Sequence, residues 1–177
     1  MVTTLLLARH GETEWNRVGR WQGWADPPLN DTGWAQAHDL AAQLRGTPFD
    51  AVYSSDLRRA HETALVLAEP HGLEVVTDPD LREIDVGAWS GLTRAEIAER
   101  FPDGDRPGGE TREQHSVRVL AGVERIARAH PGERVLIVAH GGCVRALQRH
   151  LDDDVSHPIE NCSVYELHFR DDGFLPV

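Results

Sequence analysis

No lysine occurs among the 177 residues; all 18 cationic side chains are arginine. A Schiff-base lysine and a Walker-type phosphate loop are thereby excluded, so any anion site must use arginine, histidine or backbone amides. Cysteine is scarce too. Cys143 and Cys162 are far apart and in no CxxC arrangement, which excludes a disulfide framework and fits a reducing compartment. No stretch approaches the ~18 consecutive apolar residues of a membrane span. The short run Leu5-Leu6-Leu7-Ala8 ends at Arg9 and lacks the basic flank and cleavage site of a signal peptide. A cytoplasmic location is expected. Positive charge is in deficit, with 18 cations against 29 acids and a net charge of −11. Such a chain repels polyphosphate backbones and anionic bilayers, so neither nucleic acid nor membrane is an expected partner. Ten histidines invite a metal, but HExxH and paired CxxC spacings are missing. No metal and no cofactor is expected.

What is present is ordinary for a globular chain: 40% hydrophobic and 27% charged residues. The length predicts one domain over residues 1–177, with enough apolar residue for a core without staples. The oligomeric state is open, and a homodimer is compatible with the sequence.

The pattern predicts strands at residues 3–8, 51–53, 73–76, 134–139 and 164–169. Between them lie helices. Asn30 reads as the N-cap of a helix to about Arg45, stopped by Gly46. Asp56 reads as the cap of another, running to about His71 and ended by Gly72. Thr93 and Thr111 open capping boxes, the second for a long helix with Val119, Val123 and Ile126 on one face. A last helix runs from the His140-Gly141-Gly142 turn through His150. Residues 9–29, with Gly19, Gly23 and Pro27-Pro28, read as loop. Strands alternating with helices predict a three-layer α/β/α sandwich on a mostly parallel sheet.

Two strand ends share one design. Residues 3–8 lead into Arg9-His10-Gly11, and residues 134–139 into His140-Gly141-Gly142. Ligands of open parallel sheets sit at the carboxyl ends of strands. Two histidines placed there can face one pocket, and glycines Gly11 and Gly141 would let backbone amides approach an anion. A third strand end delivers Arg58 and Arg59 at a helix start. Arg9 and Arg59 would form a guanidinium clamp. Two histidines and two arginines at three strand ends describe a phosphate pocket. The other eight histidines, His115 among them, read as surface or helix-face residues.

The segments LARHGETEWN, SSDLRRAHETA, LREIDVGAWSG, PGGET and VAHGGCVRAL occur in this order. Together they resemble the histidine phosphatase superfamily, in the branch of cofactor-dependent phosphoglycerate mutases and small-molecule phosphatases. The resemblance runs from Leu5 to about Leu167. It implies a phosphoglycerate mutase-like fold and a metal-independent phosphomonoesterase acting through phosphohistidine. His10 would be the nucleophile. Arg9, Arg59 and His140 would hold the phosphoryl oxygens, and Asn16 would donate to the same group. Glu83 would protonate the leaving alkoxide and then activate water. Arg58 is the uncertain neighbour of Arg59. The loop with Trp21, Gln22 and Gly23 would lie at the rim of the site, where Trp21 or Trp24 could face the leaving group.

Departures from the mutases favour hydrolysis. Those enzymes usually carry a tyrosine three residues after the acid, where this chain has Val86, and a longer insertion with paired arginines. Here residues 101–109 are few and supply only Arg106. A mutase must exclude water while it holds the intermediate, and a short lid favours water attack. The expected substrate is a small-molecule phosphate ester. A broad-specificity phosphomonoesterase, α-ribazole phosphate phosphatase, phosphoserine phosphatase and glucosyl-phosphoglycerate phosphatase all fit. A cofactor-dependent phosphoglycerate mutase and a phosphohistidine-protein phosphatase are the alternatives.

Overall fold

The computed structural model describes residues 1–171 and 173–177. Its core strands are β1 (Thr3–Arg9) and β4 (Arg134–Ala139), paired in parallel register from Thr4↔Arg134 to Arg9↔Ala139. Alternation along each strand sends side chains to opposite faces. Leu5, Leu7, Val135 and Ile137 join one buried cluster with α5 (Arg112–Ala129) and α6 (Gly141–His150). Leu6, Ala8, Leu136 and Val138 join the other with α2 (Asp31–Leu44) and α3 (Arg58–Ala68). A strand covered on both faces must be apolar throughout, which explains the runs LLLA and VLIVA.

The sheet has the order β3-β2-β4-β1-β5-β6, with β2 at Ala51–Ser54, β3 at Val75–Thr77, β5 at Val164–Arg170 and β6 at Gly173–Pro176. Strands β3, β2, β4 and β1 run parallel. Strand β5 joins β1 antiparallel, and β6 folds back on β5. The result is a three-layer α/β/α sandwich on a mostly parallel sheet. No helix of the described residues is long and apolar enough to cross a membrane.

The caps at Asn30, Thr93 and Thr111 form as the sequence predicts, each side chain accepting from the backbone N–H three residues on. Asp56 does not cap α3. Its carboxylate instead takes both Nε and a terminal nitrogen of Arg82 at 2.7 and 2.6 Å, and the N-cap position falls to Leu57 with no side-chain bond. α3 also ends early, at Ala68. Pro70 cannot donate a helical hydrogen bond, so residues Glu69–His71 tighten into a 3₁₀ turn closed by Gly72 at φ 65°. Residues 9–29 are not all loop: α1 (Glu14–Arg17) forms there, with Thr13 and Asn16 as its capping box. Of the remaining helices, α4 spans Arg94–Arg100.

Candidate active site

The register of β1 on β4 brings the two histidine-bearing strand ends together. His10 N–H donates to Ala139 O at 3.0 Å, and the His10 and His140 rings lie edge to face with centroids 5.1 Å apart. His10 is 3% exposed and His140 fully buried. His10 Nδ1 is 2.7 Å from Gly11 O, and its Nε2 accepts from Arg59 Nε at 3.3 Å. A carbonyl can only accept and a guanidinium can only donate. Both contacts therefore place the proton on Nδ1 and the lone pair on Nε2. Burial, then Arg59, then Arg9 hold the His10 pKa well below the ordinary histidine value, against the opposing pull of Gly11 O. Burial and the same cations do so for His140. Both rings are neutral at physiological pH.

Arg59 is fully buried. Its terminal nitrogens donate to Ala25 O and Gly23 O, each at 2.8 Å, so the guanidinium is locked beside His10. Burial pushes its pKa down to about 10. Arg9 is anchored through Ile159 O. Its Nε and both ring nitrogens of His140 are buried without a partner among the described residues. Each such atom costs about 1–3 kcal/mol. A neutral His140 carries one N–H, so this hydrogen and that of Arg9 Nε are two unpartnered donors beside the nucleophile, awaiting an anion.

The amide end of the site is arranged by Thr13, which is fully buried. Its N–H donates to Asn16 Oδ1 at 3.1 Å and its hydroxyl to Gln22 Oε1 at 2.7 Å. With both amide oxygens occupied, Asn16 and Gln22 are left with N–H donors for the cavity that both residues line.

Glu83 comes from the crossover after β3. Its Oε1 accepts from Ile84 N–H at 2.8 Å and its Oε2 from Gly142 N–H at 3.1 Å. The turn that carries it is clamped by Arg118 of α5, which donates to Asp80 O, Arg82 O and Glu83 O and pairs with Glu110 at 2.7 Å. Glu110 in turn accepts from Asp85 N–H. Trp24 closes the other side: its indole N–H donates to Glu83 O at 2.8 Å and its ring lies 4.8 Å from the Arg82 guanidinium.

These groups surround a cavity of about 460 Å³ lined by Arg9, His10, Asn16, Gln22, Arg59 and Glu83, among others. Trp21 and Gly23 line it as well. His140 lies beneath the wall. Besides His140, three expected residues are not part of its lining. Gly11 N–H donates to Thr63 Oγ1 at 3.0 Å and so faces away from an anion. Gly11 is needed for a different reason: a Cβ there would sit 2.5 Å from Gly33 O. Arg58 is exposed and pairs with Glu62 at 2.6 Å. A Cβ on Gly141 would meet only the Arg9 side chain and Ile159, at 3.7–3.9 Å; it is Gly142 that lines the cavity, and its lack of a Cβ leaves room for the Glu83 carboxylate. No group of three or more described His, Cys, Asp or Glu residues could hold a metal ion.

A model of the histidine phosphatase superfamily (branch 1) matches residues 5–177. The chain belongs to that superfamily. It is 40% identical over 190 residues to the metal-independent phosphoserine phosphatase of Arabidopsis thaliana, covering 98% of this chain and 79% of that one. It is also 37% identical over 182 residues to the 2,3-bisphosphoglycerate-dependent phosphoglycerate mutase of Methylorubrum populi, covering 93% and 86%. The solved structure of YhfR from Bacillus stearothermophilus superposes with a TM-score of 0.90 at 34% identity, over 97% of this chain and 94% of that one.

Within this histidine phosphatase, sequence reasoning missed His115. It is 3% exposed on α5, with Nε2 3.8 Å from Glu83 Oε1, and is no surface residue. Its position four residues before Val119 on the apolar stripe was the available signal. Arg118 and Trp24 were also missed as the clamp on the Glu83 turn. Both act through backbone carbonyls, and no sequence pattern marks such contacts.

Proposed function

We propose that this chain is a metal-independent phosphomonoesterase that hydrolyses a small phosphate ester through phosphohistidine at His10. The observation that carries the reading is the neutral His10 ring with its lone pair on Nε2, set among unpartnered donors. The Nε2 lone pair attacks phosphorus in line, and the P–O ester bond breaks. Arg9, Arg59, His140 and Asn16 hold the three non-bridging oxygens as charge redistributes. The leaving alkoxide takes a proton from the Glu83 carboxyl. Water then gives a proton to the Glu83 carboxylate, and its oxygen attacks phosphorus. The P–N bond breaks, the electron pair returns to Nε2, and inorganic phosphate departs.

Hydrolysis is favoured over mutase chemistry by the segment 101–109. It is short and tied back onto the turn after Glu83: Ala88 N–H donates to Pro107 O and Trp89 Nε1 to Asp105 O, each at 2.9 Å. A segment pinned there leaves the cavity open to water.

The test is phosphate release without added metal from aryl, carboxylate-bearing and sugar phosphates, with His10→Ala as control. Release by the wild type and none by the variant supports the reading. Interconversion of phosphoglycerates without release, when 2,3-bisphosphoglycerate is present, overturns it in favour of the mutase.

A further inference from the structure

Helix α5 buries a titratable side chain that the steps above leave without a part. The buried residues of α5 are His115, Val119, Gly122, Val123, Ile126 and Ala127. His115 is the polar side chain among them, and it is 3% exposed. An imidazole in such a place costs free energy unless it finds a partner. Two groups face its Nε2: Glu83 Oε1 at 3.8 Å and Cys143 Sγ at 3.9 Å. Cys143 is an inert neighbour. It is fully buried, burial pushes its thiol pKa up, and its S–H is engaged by Leu81 O at 3.3 Å and Arg82 O at 3.4 Å. Glu83 is the reactive neighbour, and His115 lines the cavity beside it. Burial holds the His115 ring below the ordinary histidine pKa, aided by Arg118 and opposed by Glu83, Glu110 and Arg82 O. Neighbouring His140 is itself neutral and adds no charge. His115 is therefore neutral at physiological pH and carries one N–H. An ionised carboxylate can only accept, so that hydrogen sits on Nε2, facing Glu83. The gap exceeds an ordinary N–H···O bond by about 0.8 Å. The Glu83 side chain is 20% exposed and closes it by a small turn.

We infer that His115 is a positioning residue for Glu83: its Nε2–H closes on Oε1 once the carboxyl has lost its proton, and it aims the carboxylate for hydrolysis of phosphohistidine. The inference rests on the hydrolase reading above and deepens it. Glu83 passes through two states in that reaction. As the acid it gives its proton to the leaving alkoxide and becomes a carboxylate. As the base it takes a proton from water while the water oxygen bonds to phosphorus and the P–N bond breaks. His115 exchanges no proton in either step. Ile84 N–H already donates to Oε1 and Gly142 N–H to Oε2. With the His115 N–H added, both lone pairs of Oε1 are taken, so the proton is exchanged at Oε2. A hydrogen bond to an ionised acceptor is stronger than one to a neutral acceptor, so His115 grips the base and not the acid.

The experiment separates the two steps in a single turnover, with enzyme in excess over p-nitrophenyl phosphate and rapid quenching. p-Nitrophenolate leaves in the first step with little need of an acid, and inorganic phosphate appears in the second, which needs the base. His115→Leu fills the apolar space without a donor, and His115→Gln keeps an N–H near the place of Nε2. His115→Leu should release p-nitrophenolate within about two-fold of the wild-type rate and phosphate about ten-fold or more slowly, the scale of a misplaced catalytic group. The phosphoryl label should persist on His10 meanwhile. His115→Gln should restore phosphate release to within about three-fold of wild type. If a thermal melt shows that His115→Leu does not fold, His115→Asn takes its place with the same expectations, its amide being one carbon too short to reach Oε1. Equal slowing of both products, phosphate release at the wild-type rate without the donor, or a Gln variant as slow as the donor-free one overturns the role of His115. No phosphate release from any ester by the wild type overturns the hydrolase reading instead.

Discussion

Gly142→Ala separates catalysis from stability at a single methyl group. A Cβ on Gly142 would lie 1.9 Å from Glu83 Oε1. Restoring an ordinary contact of about 3.5 Å requires the carboxylate to move by about 1.6 Å. The movement is easy, because the clashing atom is the free end of a side chain that is 20% exposed. It costs the Ile84 N–H contact to Oε1 and the Gly142 N–H contact to Oε2, about 1 kcal/mol each, and is partly offset by the Gly-to-Ala gain of about 0.5–1 kcal/mol in a helix. The net loss of stability should stay within about 2 kcal/mol. Proton delivery should not survive, since a misplacement of about 1 Å costs on the order of 100-fold. Alkyl phosphates should therefore lose about 100-fold in kcat/KM. Aryl phosphates, whose leaving groups need little protonation, should lose much less. The assay is kcat/KM on both ester types beside a thermal melt. Gly141→Ala is the control, as its Cβ would meet nothing closer than 3.7 Å. Wild-type turnover of an alkyl ester by Gly142→Ala would refute the placement of Glu83 as the acid.

Glu83→Gln should reproduce that selective loss on alkyl esters, and equal losses on alkyl and aryl esters would make Glu83 a structural residue. Gly11→Ala should destabilise by about 1–3 kcal/mol or more, read from a urea midpoint, because its Cβ would meet backbone at 2.5 Å and backbone cannot swing aside. Acid should destabilise the phosphate-free protein through His10 and His140. Below pH 6.5 the unfolded chain binds protons that these buried rings refuse, so stability is present above that pH and falls as the pH drops. The slope contributed is up to ~1.4 kcal/mol per pH unit for each ring, and His140→Gln should remove about half of it. A urea midpoint that does not change between pH 6.5 and 5 would contradict the neutral pair.

The parts legible in the sequence are those set by local rules. LLLA and VLIVA are apolar throughout because both faces of the central strands are covered, and Thr93 and Thr111 cap helices through contacts three residues away. The paired Arg-His and His-Gly strand ends were legible for the same reason: a parallel sheet puts its strand ends together. What failed depended on distant partners. Asp56 has a good capping side chain, yet Arg82 from another segment outbids the helix end for it. Gly11 and Gly142 both follow a strand-end histidine, one and two residues after it. Only the tertiary neighbours, Gly33 O in one case and the Glu83 carboxylate in the other, say what the missing Cβ is for. β6 carries only Phe174 and Leu175 as large apolar residues inside its span, and it forms because β5 offers an open edge. The burial of His115 was signalled by its place on the apolar face of α5, but its approach to Glu83 was out of reach, since that contact is made by a turn from another segment.

The most direct test of the central claim is to trap the intermediate. Enzyme mixed with excess aryl phosphate, quenched under alkaline conditions and digested, should carry one phosphoryl group on the peptide containing His10, on a ring nitrogen. His10→Ala should carry none. A phosphoryl group on another residue, or turnover by the wild type with no label at any quench time and undiminished turnover by His10→Ala, would contradict the account.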